Sequence, residues 1–416
     1  MNFARLAGAA TGATLCLLPF SALALTPQEA WDRWKEQAEA TGMSIAVGAE
    51  DASGDGLTVS NVAFSQDLDG ATLAGTIAEL RFADAGGGTV TVSVSEQIPM
   101  TLNGVDEDGV AYDAAMTLRA PGFTYTVTDG PSDGTDASYD VPEMTLVLDS
   151  ISEDGEPLDF TLTASLTEIS GTYVASGDDL PEVESATSAA QLSFDISGSD
   201  PDEGTFDFTM TMADIASAST AVGMSMFNMM DDPETLIESG MSAQTQGSAG
   251  TIEMNVSVQD SPETFDLQVT MGGGEGSASV GADRIEYDVA YNDLAFTASG
   301  SEIPFPQVTG MLGQSQTQIS IPTGSTDEVE PLAFLMALRD LSLGEEIWSM
   351  FDPSGALPRD PATLVIDLAG QARVLTNLFS TDFEESDEMP AEFEQVDINE
   401  LRLSVAGAEL TGEGSV

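Results

Sequence analysis

The sequence contains no histidine, and its single cysteine is Cys16. Without imidazole the chain lacks the commonest general base, the Ser–His and Cys–His nucleophile pairs and the commonest transition-metal ligand. One thiol forms no internal disulfide, and zinc and iron–sulfur sites lose their usual donors. Basic residues are nearly as scarce: 10 Lys and Arg stand against 71 Asp and Glu, a net charge of −61 over 416 residues. None lies between Arg119 and Arg284. Nucleic-acid binding is excluded, because phosphate neutralisation needs a basic surface. Docking on an anionic membrane surface is disfavoured for the same reason. Aromatics make up only 6% of the chain. Among so many acids some carboxylates pair by chance, and sugar-stacking rings are few, so a glycosidase is a poor reading. No G-x-S-x-G elbow, Walker loop or G-x-G-x-x-G fingerprint is present. These absences predict no enzyme, no cofactor and no metal centre.

Of what is there, the start is most specific. Met1–Arg5 carries one positive charge, Leu6–Phe20 is apolar or small, and Ala22-Leu23-Ala24 offers small residues flanking a cut. This is the pattern of a cleavable signal peptide over residues 1–24, cut after Ala24, with delivery to the periplasm. Lipid attachment at Cys16 is rejected because Leu15, not a small residue, precedes it. Cleavage would remove the only cysteine. No later apolar run reaches 18 residues, so no transmembrane segment is expected after signal removal. A hydrophobic fraction of 42% argues against disorder and for a folded core in an acidic shell. Diffuse acidity of this kind fits life in salt, a marine or halophilic adaptation, better than a cation site.

The remainder alternates with period two. Val90, Val92 and Val94 form one such set; Phe160, Leu162, Ala164 and Leu166 another; Phe206, Phe208, Met210 and Met212 a third. Ile252–Val258 and Phe265–Met271 follow. Each set puts one apolar face inward, as in an antiparallel sheet with a solvated side. Three helices are expected. The first starts at the capping box Thr26–Glu29 with Pro27 at its first position, carries Trp31 and Trp34 as packing anchors, and ends at Gly42. The second spans 213–240 and is rich in Ala and Met. The third spans 331–350, with Leu332, Leu335, Met336 and Leu338 on one face and a second capping box at Ser342 and Glu345. The expected fold is therefore mainly β (α+β): a large curved antiparallel sheet, in one piece or as two β lobes, with three helical segments packed on it. The lobes would be 25–212 and 241–416, joined by 213–240.

Two clusters stand out as candidate sites. Met224, Met226, Met229 and Met230 suggest an adaptable apolar surface for a lipid or other apolar ligand, a soft-metal site, or a buried helix face filling irregular gaps. Trp348, Phe351, Asp352, Pro353, Arg359 and Asp360 suggest a structural clasp joining helix to sheet, with Arg359 held by Asp352 or Asp360. The alternative there is Arg359 anchoring an anionic headgroup. The acidic loops Asp106-Glu107-Asp108-Gly109 and Asp129–Asp136 lack the spacing of an EF-hand and read as solvated turns.

Three stretches carry a family resemblance: Leu25–Gly42; Ile347-Trp348 through Phe351-Asp352-Pro353 to Leu357-Pro358-Arg359-Asp360-Pro361; and Leu401–Gly414. In these the chain resembles the secreted Gram-negative proteins grouped as domain of unknown function 2125. The resemblance implies a periplasmic β-rich protein with no assigned activity, no catalytic residue to carry over, and a continuation beyond Val416, so that this chain is truncated. The leading expectation is thus a non-enzymatic envelope protein holding a lipid or other apolar ligand. The alternative is a structural protein binding an envelope partner through a sheet edge. An acidic carboxylate-dependent hydrolase ranks last.

Overall fold

The structure, a computed structural model, describes residues 25–416 apart from 41, 55, 69, 106–108, 130–133, 177–181, 201–203, 224–239, 325–327 and 381–389. The signal segment 1–24, the cluster Met224, Met226, Met229 and Met230, and parts of both acidic loops lie outside the described residues.

Helix α1, Pro27–Ala40, begins as its sequence dictates. The Thr26 N–H and hydroxyl donate to Glu29 Oε2 at 2.9 and 2.8 Å, and the Glu29 N–H donates to Thr26 Oγ1 at 3.3 Å. This reciprocal box satisfies otherwise orphaned donors of the first turn. The Thr26 backbone hydrogen bond holds the Glu29 carboxyl below its ordinary pKa. At the other end Gly42 takes φ 83°, and its N–H and that of Met43 donate to Glu39 and Ala38 carbonyls. Only a residue tolerating that φ closes the turn so tightly.

The chain divides into two compact units, up to Ala213 and from Asp214. The first contains β1 (Ser44–Ser53), β2 (Gly56–Leu68), β3 (Ala71–Gly86), β4 (Thr89–Val94), β5 (Gln97–Val105), β6 (Ala111–Arg119), β7 (Thr124–Asp129), β8 (Thr135–Glu153), the two-residue β9 (Glu156–Pro157), β10 (Asp159–Ala175) and β11 (Glu182–Asp200). β12 (Gly204–Val222) runs through the division. The second unit continues with β13 (Ser242–Ala249), β14 (Ile252–Asp260), β15 (Glu263–Met271), β16 (Gly273–Val280), β17 (Arg284–Gly300), β18 (Val308–Pro322) and β19 (Glu330–Leu343). Helix α2 (Glu345–Phe351) follows, then β20 (Ala362–Val374), β21 (Ala391–Val405) and β22 (Ala408–Ser415). The fold is mainly β and antiparallel.

Within each unit the topology is a meander. β4 and β5 lie end to end against β3 in nearly one register, with Leu80 opposite Val94 and Ala71 opposite Gly104. β6 and β7 continue each other in the same way against β8. In the second unit β13 and β14 face β16 and β15, and β17 to β22 then pair each with the next. Hairpin connection needs only short turns between long strands, and glycine and acids in those turns supply the required φ values.

Five long strands share a device. Asn61 in β2, Glu168 in β10, Asp214 in β12, Asp293 in β17 and Asp340 in β19 all have φ between 49 and 60°. At Asn61, Asp293 and Asp340 the apolar series changes phase. Leu57 and Val59 give way to Val62 and Phe64; Tyr287, Val289 and Tyr291 to Leu294, Phe296 and Ala298; Phe334, Met336 and Leu338 to Leu341 and Leu343. A left-handed residue interrupts the pleat, bends the strand and sharpens its twist. At these three the neighbouring chain carries glycine. A Cβ on Gly48 would stand 2.9 Å from the Asn61 Cβ, one on Gly272 3.0 Å from that of Asp293, and one on Gly313 3.0 Å from that of Asp340.

The first unit has a sealed core. Trp31 is fully buried, stacks on Trp34 with centroids 5.4 Å apart, tilts against Phe82 at 5.9 Å, and donates its indole N–H to Glu50 at 3.0 Å. Leu57, Val59, Val62, Leu80, Phe82, Val90 and Val92 are buried in the same unit. A second cluster comprises Leu102, Ala114, Leu148, Ile151 and Leu162. In the second unit the buried apolar residues are few and mostly small: Met241, Ile252, Ala298, Ala337, Val365, Ala372 and Val374 among the described residues.

Two of the three expected helices are corrected. The segment from Ala213 to Val222 belongs to β12, with Ala216–Val222 paired to β13, and 224–239 lies outside the described residues. The segment 331–343 is strand β19, and only Glu345–Phe351 is helical. Leu332, Phe334, Met336 and Leu338 lie on one face of that strand and Leu335 and Ala337 on the other. A strand apolar on both faces, with a phase change at Asp340, mimics helical spacing. Ser342 is no cap: it pairs with Met311 in the sheet, and Gly344 precedes the helix without a side-chain cap.

Candidate functional site

Helix α2 and the arm behind it form a closed hydrogen-bonded corner. Gly344 is tied to the sheet by its N–H to the Thr309 carbonyl at 2.8 Å, and Asp352 ends the helix with its N–H on the Trp348 carbonyl at 2.8 Å. The turn Asp352–Gly355 closes with the Gly355 N–H on the Asp352 carbonyl. The Asp352 carboxylate is buried and accepts from the Leu357 N–H at 2.7 Å, Arg359 Nη1 at 2.8 Å and the Ser354 hydroxyl at 2.9 Å. The Leu357 N–H first, and Arg359 next, hold its pKa well below the usual carboxylate range.

Four of the five N–H donors of Arg359 are engaged within the corner. Nη2 and Nε donate to the two oxygens of Glu345 at 3.0 and 3.2 Å, and Nη1 also reaches the Leu357 carbonyl at 2.9 Å. Its guanidinium carbon lies 4.7 Å from the Trp348 ring centroid, a cation–π contact. Glu345 is pulled below its ordinary pKa by this bond, and Arg359 is pushed up by Glu345 and Asp352. The geometry is that of a clasp, with the Arg359 charge already matched by Glu345 and Asp352. Asp360 is exposed and takes no part in the network, and Pro353 and Phe351 are exposed as well. Glu345, the bidentate partner, was not among the sequence candidates; it lies 14 residues away, and only the fold of the arm brings it close.

The second feature is a face of the second-unit sheet. The pairing of strands aligns Tyr287, Ile319, Phe334, Leu368 and Ile398 in one cross-strand row. A second row holds Val289, Thr317, Met336, Ile366 and Leu401, and a third Tyr291, Ser315, Leu338, Leu364, Leu403 and Leu410. No residue in these rows carries a charge, although the chain holds 71 acids. Intervening positions point to the opposite face, and there stand Glu286, Asp288, Asp367, Glu400, Arg339 and Arg402. None of the row residues is fully buried: Tyr287, Tyr291, Leu403 and Leu410 are 41, 42, 41 and 58% exposed.

Two open troughs lie elsewhere on the sheets. One of about 500 Å³ in the second unit is lined by small and polar residues such as Ser217, Gln246, Ser277 and Gln316. One of about 610 Å³ in the first unit is lined by Phe64, Pro99, Met100, Met116 and Asp149. No group of three or more metal-ligating side chains occurs among the described residues, and no described helix is long and apolar enough to cross a membrane. No family model, curated protein or solved structure matches the chain.

Proposed function

We propose that this is a non-enzymatic protein of the bacterial envelope, exported to the periplasm, whose second unit holds an apolar ligand of the lipid class on its charge-free face. The observation that carries this reading is the segregation of charge: three paired rows, two across five strands and one across six, hold no acid in a chain with 71. A sheet packed only against water would not need that exclusion, and a wholly structural face would be sealed as in the first unit. Five interstrand spacings span about 24 Å across β17–β22. That exceeds the roughly 15 Å of one membrane leaflet's hydrocarbon, so a lipid chain fits along the rows. Lipid tails need only apolar surface and excluded water, which the rows supply without any directional polar group.

The test is mass spectrometry of an organic extract from protein purified without detergent, beside the variant Ile366→Asp. A lipid in near-stoichiometric amount, lost in the variant while Trp348 emission stays native, supports the reading. An empty extract from folded wild-type protein defeats it.

A further inference from the structure

We propose that the corner built by helix α2 is a docking site for a polypeptide that presents aromatic or aliphatic side chains within a basic rim. This inference stands apart from the lipid-holding reading. Three apolar side chains protrude there: Met350 is 61% exposed, Phe351 73% and Leu357 46%. They are not loose. Leu357 is pinned through its N–H to Asp352, Asp352 is pinned to Arg359, and Arg359 grips Glu345 at the start of the helix. Exposed apolar side chains rimmed by polar residues mark interaction sites.

Charge selects the occupant. The acids of the segment 345–360 are Glu345, Glu346, Asp352 and Asp360, and its single cation, Arg359, is already matched by two of them. The rim therefore presents net negative charge around an apolar centre. A second copy of this chain, at −61, would be repelled, and an anionic membrane likewise. A polypeptide with Lys or Arg around its apolar side chains is attracted at long range and complements the rim on contact.

The experiment uses the full chain and fluorescein-labelled synthetic peptides read by anisotropy. One peptide carries Trp and Leu among Lys residues, a second replaces Lys with Glu, and a third keeps Lys but lacks apolar residues. The third reports the unspecific pull of the acidic shell. The expected result is that the first peptide binds best, weakens with NaCl, and loses about tenfold in affinity in the double variant Met350→Ser/Phe351→Ser. Phe265→Ser, which removes an aromatic 39% exposed elsewhere in the unit, leaves binding unchanged. The proposal is overturned if the double variant binds the first peptide as wild type does, if the Glu peptide binds equally, or if no peptide outbinds the apolar-free control. Retention of wild type but not the double variant on neutral phosphatidylcholine vesicles, with no peptide preference, would assign the corner to a membrane instead and overturn it too.

Discussion

Replacing Gly313 by alanine tests the left-handed junctions on which the long strands depend. A Cβ there would meet the Asp340 Cβ at 3.0 Å and the Arg339 carbonyl and Asp340 carboxylate at 3.4 Å. Both the neighbouring backbone and a short side chain would have to give way, an overpacking cost of about 1–3 kcal/mol. Gly412→Ala is the matched control, because its Cβ would sit 3.7 Å from Leu401, an ordinary contact. In an extended strand that change is neutral or stabilising by up to ~1 kcal/mol, since alanine has less backbone freedom to lose. The chain has three tryptophans, and Trp348 alone belongs to the second unit; Trp31 and Trp34 lie in the first. Urea titration of Trp31→Phe/Trp34→Phe protein, followed by fluorescence, therefore reports the second unit. Gly313→Ala is expected to lower the midpoint clearly and Gly412→Ala not at all. Equal midpoints for the two would refute the junction argument.

Other outcomes follow from ionisation and charge. Asp352 and Glu345 have folded pKa values below their ordinary 3.8 and 4.5, so their contribution to stability is full above about pH 4.5 and is lost as pH falls. Acid titration of Trp348 emission should show this, and Asp352→Asn should flatten the dependence. Tyr173 is pushed up to about 12 by burial, so the folded state keeps its proton where the unfolded chain has lost it. First-unit stability should then decline as pH rises from about 10 towards 12, and Tyr173→Phe should remove part of that decline by circular dichroism. Melting temperature should rise with NaCl, because screening relieves the self-repulsion of a −61 chain; a flat response would show the acids too widely spaced to matter.

Much of the sheet was legible because its strands alternate. Val90 and Val92, Leu162 and the Ile252–Val258 series lie where period two puts them. Helix α1 was legible at atomic detail, since the Thr26–Glu29 box is a local motif needing no tertiary information. The misread helices fell where alternation fails. In β19 both faces are apolar, and Asp340 shifts the phase, so Leu332, Leu335, Met336 and Leu338 imitate a helical stripe. In β12 an alanine-rich run with Asp214 in the left-handed region did the same. The missed signal is the combination itself: an acid or Asn at a phase change, with glycine in the adjacent strand.

The site was legible in part. Asp352 and Arg359 were readable as partners because they lie seven positions apart on a proline-stiffened arm. Asp360, nearer in sequence, points elsewhere, and the bidentate bond to Glu345 depends on how the arm folds back over Trp348. The charge-free face was not readable before strand pairing was known. Only the register shows that Tyr291, Leu338, Leu364 and Leu403 share one row.

Whether the charge-free face holds a lipid is measured most directly in the extract of detergent-free protein, compared between wild type and Ile366→Asp. A lipid-holding face yields a lipid in near-stoichiometric amount from wild type and loses it in a variant that remains folded. Folded wild-type protein that carries no apolar molecule, or a variant that retains as much as wild type, would contradict the lipid-holding reading.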